Sequence, residues 1–110
     1  MGQDRPDHFQ IEEAHDNRTV VLTLHGELDL ASVDEVQRRL DALRAGGVAT
    51  RLDLDDLSFM DSSGLRVVLQ AAEAGRDGAW QFTLTPGSEQ VRQLFTSAGV
   101  ADRLPIVPRT

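Results

Sequence analysis

The chain contains no cysteine, which excludes disulfides, thiol catalysis and thiolate metal sites. It also has no apolar run close to the about 20 residues that a transmembrane helix needs. The polar first residues, 1–8, lack the apolar core of a signal peptide. We therefore expect a cytoplasmic protein with no membrane-bound part.

Lysine is the second missing residue type. All 11 cationic side chains are arginine, and they do not form a basic run. Because the formal net charge is -7 at pH 7, binding to nucleic acid or to anionic lipid would be opposed electrostatically. We expect the partner to be another protein, and we expect neither nucleic acid nor a membrane to bind.

The remaining composition is that of an ordinary small globular protein. Hydrophobic residues make up 40% of the 110 positions and charged residues 26%, which is enough for one modest core. We expect a single domain over residues 1–110, in which residues 1–7 are disordered.

The apolar pattern predicts the element order β-β-α-β-α-β-α-β. Strands are predicted at residues 9–12, 19–24, 48–54, 80–85 and 104–108. The short gap between the first two strands indicates an antiparallel hairpin, and the strand–helix–strand repeats indicate parallel pairs. The expected fold is α/β, with a mixed β-sheet, an N-terminal antiparallel hairpin, parallel βαβ units and helices packed on the sheet.

Three helices are predicted from serine caps and glycine ends. Ser32 and Glu35 have the spacing of a capping box, and a second cap precedes the third helix at Ser88. Gly46-Gly47, Gly75 and Gly99 follow the apolar stripes and predict where the helices end. The second helix is expected to bury Leu65, Val68, Leu69 and Ala72.

The most informative stretch runs from Leu52 to Leu69, where an apolar strand leads through an acidic loop to a helix that begins at Ser62 and Ser63. A helix start offers unpaired N–H groups and the positive end of the dipole, so a phosphate there would be well accommodated. Asp61 or either serine could equally be an ordinary N-cap, and such a cap is compatible with modification. We take the loop as a candidate phosphorylation switch.

Two catalytic alternatives were weighed against this hypothesis. Asp53, Asp55, Asp56 and Asp61 resemble a Mg²⁺-dependent aspartyl-phosphate site, but that chemistry needs a lysine, so we expect a solvated acidic loop. A Ser–His–Asp grouping would require His25 to meet Ser62, and the nucleophile-elbow pattern is missing. His8, His15 and His25 have no metal-ligand spacing. We expect no enzyme, catalytic residue, metal or cofactor.

The segment Asp53-Leu54-Asp55-Asp56-Leu57-Ser58-Phe59-Met60-Asp61-Ser62-Ser63-Gly64-Leu65 resembles the signature loop of the STAS domain (sulfate transporter and anti-sigma factor antagonist). Gly26-Glu27-Leu28-Asp29 resembles the second recurring segment of that family. The resemblance extends from about Phe9 to Val107. The free-standing form of this domain resembles the bacterial anti-sigma factor antagonists.

This resemblance implies a partner-switching function. Ser62 would be phosphorylated by the anti-sigma factor, a serine kinase with a histidine-kinase-like ATP-binding fold, and a metal-dependent serine phosphatase would reverse the mark. The unphosphorylated form would bind the anti-sigma factor and free the sigma factor. The implied partner-binding residues are Asp29, Asp61, Ser62, Ser63, Gly64 and Arg66.

Two departures and one alternative accompany the resemblance. Arg66 stands where many relatives have glycine, and it could pair with a Ser62 phosphate or alter which kinase fits. The sequence ends at Thr110, before the final helix that is common in the family, which leaves open how the last strand is covered. The alternative function is a non-phosphorylated STAS adaptor subunit, for example of a lipid-transport ATPase complex.

Overall fold

The sheet starts with a hairpin that turns at Asn17, whose φ of 59° lies in the left-handed region that asparagine tolerates. The computed structural model of the protein describes residues 9–108, so the disorder predicted for residues 1–7 lies outside the described residues. The hairpin joins β1 (Gln10–Asp16) to β2 (Thr19–Leu28), and the two strands pair antiparallel as expected.

The remaining elements are three strands, three helices and a 3₁₀ turn. They are α1 (Val33–Ala45), β3 (Ala49–Asp53), β4 (Leu57–Met60), α2 (Ser62–Gly75), β5 (Phe82–Leu84), α3 (Glu89–Ser97) and a 3₁₀ turn at Ala101–Arg103. The strand order is β1-β2-β3-β5, and β4 pairs with the end of β2. The β2–β3, β2–β4 and β3–β5 pairs are parallel, which confirms the predicted mixed sheet.

The core lies on one face of the sheet. Alternate residues of β2 (Val20, Leu22 and Leu24) are buried, as a half-buried strand requires. They belong to one apolar cluster with Val36 of α1 and Val68 of α2, so these helices pack on that face. None of the helices between residues 9 and 108 is long and apolar enough to cross a membrane.

The strand β4 is the main element that the sequence prediction missed. The sequence pattern predicts a loop at Leu57–Met60 and a second strand at residues 19–24. In the structure Leu57 and Met60 are buried, and β2 continues to Leu28 so that the two strands pair. Gly26 has a φ of 92°, and the register shifts between Gly26 and Glu27.

Two smaller predictions were also wrong. Ser32 makes no side-chain cap for α1; its hydroxyl instead accepts from the Asp29 N–H at 3.0 Å and donates to the Glu27 carbonyl at 2.8 Å. The buried stripe of α2 is rotated from the prediction, because Leu65 and Leu69 are only half-buried. The buried α2 residues are Gly64, Val67, Val68, Ala71 and Ala72, which include the predicted Val68 and Ala72.

The last predicted strand is reduced to a single bridge. Ile106 pairs in parallel with Leu84, and the Val107 N–H donates to the Leu84 carbonyl at 2.8 Å. Ile106 remains 37% exposed. Residues 104–108 therefore lie beside β5 at the edge of the sheet and pair with it only at Leu84.

Candidate functional site

The parallel pairing of β2 with β4 brings two loops to the same edge of the sheet. Leu28 lies opposite Met60, and the Asp61 N–H donates to the Leu28 carbonyl at 3.2 Å. Asp29 and Ser62 are the next residues along their respective loops. The two sequence segments that were singled out, at 26–29 and 53–65, are therefore neighbours in space.

Asp61 is the N-cap of α2, so of the three candidate caps the structure selects the aspartate. Its backbone is extended, and its Oδ1 accepts from the Ser63 N–H at 2.9 Å and the Gly64 N–H at 3.2 Å. These are two of the N–H donors that a helix start offers to an anion. A phosphate on Ser62 would share the helix start with the Asp61 carboxylate, and its accommodation there stays a prediction.

The two serines differ in accessibility. Ser62 is exposed at the first position of α2, whereas Ser63 is half-buried. Of the two serines, Ser62 is therefore the more accessible from solvent.

Gly64 fits a space that no side chain could occupy. A Cβ at this position would lie 2.8 Å from the Leu28 carbonyl oxygen, from Leu28 Cγ and from Met60 Cγ. The backbone of α2 therefore approaches the ends of β2 and β4 directly. Gly64 sets how closely Ser62 stands to the Asp29 loop.

The Asp29 loop is held by its own side chains. Asp29 Oδ1 accepts from the Ala31 N–H at 3.0 Å, and Ser32 binds the loop backbone as described above. This tight turn directs Leu30 outward, where 78% of its surface is exposed. Our sequence reading missed Leu30, and the only signal was an apolar residue between a turn-forming aspartate and a helix start.

Leu30 and the serines line one groove between the starts of α1 and α2. The groove has a volume of about 360 Å³, and its lining includes Leu30, Val33, Ser62, Ser63 and Arg66. Arg66 is exposed and lies one turn after Ser62 on α2. The predicted partner-binding residues Asp29, Asp61, Ser62, Ser63, Gly64 and Arg66 therefore lie along one edge of the sheet and the first turns of α2.

The acidic cluster is not the solvated loop that we expected. Asp53 is buried and accepts from the Asp55 N–H at 3.0 Å and from the Thr85 hydroxyl at 3.3 Å. Asp55 accepts from the Gly87 N–H at 2.8 Å. These two carboxylates join the end of β3 to the turn before α3, and Asp56 is the exposed member of the three.

The other polar groups weighed for catalysis lie in ordinary surface contacts. His25 Nε2 is 3.0 Å from Glu12 Oε1 across the hairpin. Within residues 9–108, no group of three or more histidine and carboxylate side chains is placed to hold a metal ion.

Comparison with known proteins identifies the family. The family model described as the STAS domain matches residues 9–110, so the chain belongs to the STAS domain family. The anti-sigma F factor antagonist of Lysinibacillus sphaericus is 35% identical over 95 residues, covering 84% of this chain and 80% of that protein. The resemblance inferred from the signature loop is thereby confirmed.

Solved structures of anti-sigma factor antagonists have the same fold. The antagonist SpoIIAA in its unphosphorylated form is 30% identical, with a TM-score of 0.73 over 94% of this chain and 89% of that one. The Bacillus cell fate determinant SpoIIAA in the phosphorylated form is 28% identical, with a TM-score of 0.69 over 94% of this chain and 92% of that one. Both the mixed sheet and its helical layer are therefore those of the STAS fold.

Proposed function

We propose that this protein is an anti-sigma factor antagonist that works by partner switching in transcription regulation. Its unphosphorylated form binds an anti-sigma factor and frees a sigma factor, and phosphorylation at Ser62 ends that binding. The observation that carries the proposal is the exposed Ser62 hydroxyl at the edge where the Asp29 loop and α2 meet, beside the exposed Leu30. Its likeness to proteins named anti-sigma factor antagonists supports it.

The proposed partners follow from the same resemblance. The anti-sigma factor is itself the serine kinase and has a histidine-kinase-like ATPase fold, and a metal-dependent serine phosphatase removes the phosphate. The setting is the cytoplasm. The protein acts by binding and not as an enzyme, and it requires no cofactor of its own.

The proposed switch works by adding negative charge at Ser62, within the surface that would contact the partner. A phosphoserine carries about −1.5 to −2 charges at neutral pH. At Ser62 this charge stands next to Asp61, whose carboxylate is fixed on the helix start by two N–H groups. A partner that covers Ser62 would bury a hydrated dianion beside a carboxylate, and a penalty of about 3 kcal/mol lowers affinity by more than a hundredfold.

The experiment that tests the proposal is intact-mass analysis after incubation with ATP, Mg²⁺ and a kinase-like anti-sigma factor encoded nearby. We expect one phosphate adduct, which Ser62→Ala loses. Ser63→Ala is the matched control, because it removes the neighbouring hydroxyl and keeps the N–H that binds Asp61. An adduct lost only in Ser63→Ala would overturn the site assignment, and a stable complex without any adduct would favour the non-phosphorylated adaptor function.

A further inference from the structure

A second groove adjoins the Leu30 groove and shares Ser62 and Arg66 with it. It has a volume of about 390 Å³ and lies between α2 and the 3₁₀ turn. Its lining includes Ser62, Arg66 and Arg103, with Leu65 and Leu69 between them. Two arginines thus line one groove together with the proposed phosphorylation site, in a chain whose net charge is strongly negative.

We propose that Arg66 and Arg103 form a clamp that binds the phosphate of Ser62 within the same molecule and protects it from removal. The inference rests on the proposed function, because it requires Ser62 to be phosphorylated. It adds a retention step to the switch: the phosphate not only repels the partner but is also held by this chain's own side chains.

Arg66 is placed to reach the phosphate along the helix. It lies four residues after Ser62, and side chains at this spacing are neighbours on a helix surface. Because helical side chains tend to point toward the N-terminus, Arg66 can bring its guanidinium toward Ser62. Among residues 9–108, the arginines in ion pairs are Arg39, Arg51 and Arg76, so Arg66 and Arg103 are available.

Arg103 approaches from the other wall of the groove. Its backbone N–H donates to the Val100 carbonyl at 2.9 Å, and Val100 and Leu104 are both buried. The 3₁₀ turn that carries Arg103 is therefore anchored to the core on either side. The exposed side chain extends from a fixed backbone position into the groove that contains Ser62.

The helix start leaves few of its own donors for a phosphate on Ser62. The N–H groups of Ser63 and Gly64, which would ordinarily bind an anion there, are occupied by Asp61. Besides water, the nearby arginines can serve as donors to a phosphate on Ser62, and a guanidinium offers paired N–H groups that match phosphate oxygens. Engagement by two arginines would shield the phosphorus atom from a hydrolase.

The test uses full-length protein in which phosphoserine is inserted at position 62 during translation, so that neither kinase nor partner is needed. Phosphorus-31 NMR then measures the second pKa of the phosphate in the parent chain and in Arg66→Gln and Arg103→Gln. We expect each variant to raise this pKa by about 0.5 unit, because each removes a nearby positive charge. The nearby carboxylates are unchanged throughout: Asp61 beside Ser62, Glu73 in the groove lining and Asp29 on the adjoining loop.

The second readout is the rate of phosphate removal by a nonspecific phosphatase. We expect it to rise several-fold in the double variant, while Arg92→Gln on the exposed surface of α3 changes neither quantity. Equal pKa values and equal rates in the parent chain and both single variants would overturn the clamp. The two experiments are independent because the phosphoserine is inserted during translation. Failure of the clamp would not contradict phosphorylation of Ser62 by a kinase, and failure of the kinase experiment would not change the pKa or the rate measured here.

Discussion

The backbone N–H of Asp61 donates a hydrogen bond to the carbonyl oxygen of Leu28 at 3.2 Å, which ties the end of β4 to the end of β2. Asp29 follows Leu28 directly, and Ser62 follows Asp61. The two loops therefore cannot separate without breaking backbone pairing in the sheet. Backbone geometry, which most substitutions leave intact, sets the position of the proposed partner surface.

Gly64→Ala tests this close approach. The added methyl group would meet the Leu28 carbonyl oxygen at 2.8 Å, and a backbone oxygen in a sheet cannot move aside cheaply. We expect the free energy of unfolding to fall by about 1–3 kcal/mol, as in other overpacked sites. Urea unfolding followed by the fluorescence of Trp80, the single tryptophan and a buried one, measures the change.

Gly46→Ala is the control for the loss of a glycine. Gly46 has a φ of -83°, and a Cβ there would have its nearest contact at an ordinary 3.4 Å. We expect its free energy of unfolding to stay within about 0.5 kcal/mol of the parent value. Equal destabilisation by both substitutions would show that the contact with Leu28 does not cause the loss of stability in Gly64→Ala.

The sequence predicted the helices and the hairpin well because their signals are local. The β4 strand was missed because it has four residues, of which Ser58 and Phe59 are exposed, and its pairing with β2 depends on tertiary contacts. The roles of Asp53 and Asp55 were missed because their partners, Thr85 and Gly87, lie 32 residues away in the sequence.

The candidate site, like the fold, could be predicted in part. The motif located Asp61 and Ser62, and the structure added which residues surround them. Leu30 would be assigned to a core by its residue type, and only the turn geometry shows that it faces solvent. Arg103 lies 41 positions after Ser62, so no local pattern could have linked the two residues.

Charge at Ser62 is expected to control partner binding. Ser62→Ala should bind the anti-sigma factor as the parent chain does, whereas Ser62→Asp should bind at least about tenfold more weakly, because it adds a carboxylate beside Asp61. Calorimetric titration measures both affinities. Ser97→Asp, which places the same charge at the exposed end of α3, should leave binding unchanged. Equal affinities for Ser62→Ala and Ser62→Asp would refute the electrostatic account.

The ion pair between β1 and α1 gives a prediction about pH. The Glu13 carboxylate accepts from the Arg39 guanidinium at 2.8 Å, and this hydrogen bond holds the pKa of Glu13 below its ordinary value of 4.5. Because the folded-state pKa is the lower one, the pair contributes stability above the unfolded pKa and loses it as pH falls through the folded value. The effect is small, since both side chains are partly exposed and screened.

Carbon-13 NMR of the Glu13 carboxyl group, followed by acid titration, checks this prediction. Arg39→Gln should raise the pKa of Glu13 toward its ordinary value, and the stabilities of the two proteins should converge at low pH. Arg38→Gln, which changes the exposed neighbouring residue, is the control and should leave the titration unchanged. A Glu13 titration that is identical in Arg39→Gln would contradict the assignment of the ion pair.

Leu30 should contribute to binding without contributing to folding. Its side chain is 78% exposed and lines the groove that contains Ser62, so a covering partner would bury it. Burial of a leucine side chain is worth about 1.5–3 kcal/mol, and we therefore expect Leu30→Ser to weaken anti-sigma factor binding by at least about tenfold. The free energy of unfolding should change by less than about 0.5 kcal/mol. Ile106→Ser, at an apolar site beside β5, should keep full affinity; if it weakens binding as much as Leu30→Ser does, the partner surface is not at the Ser62 edge.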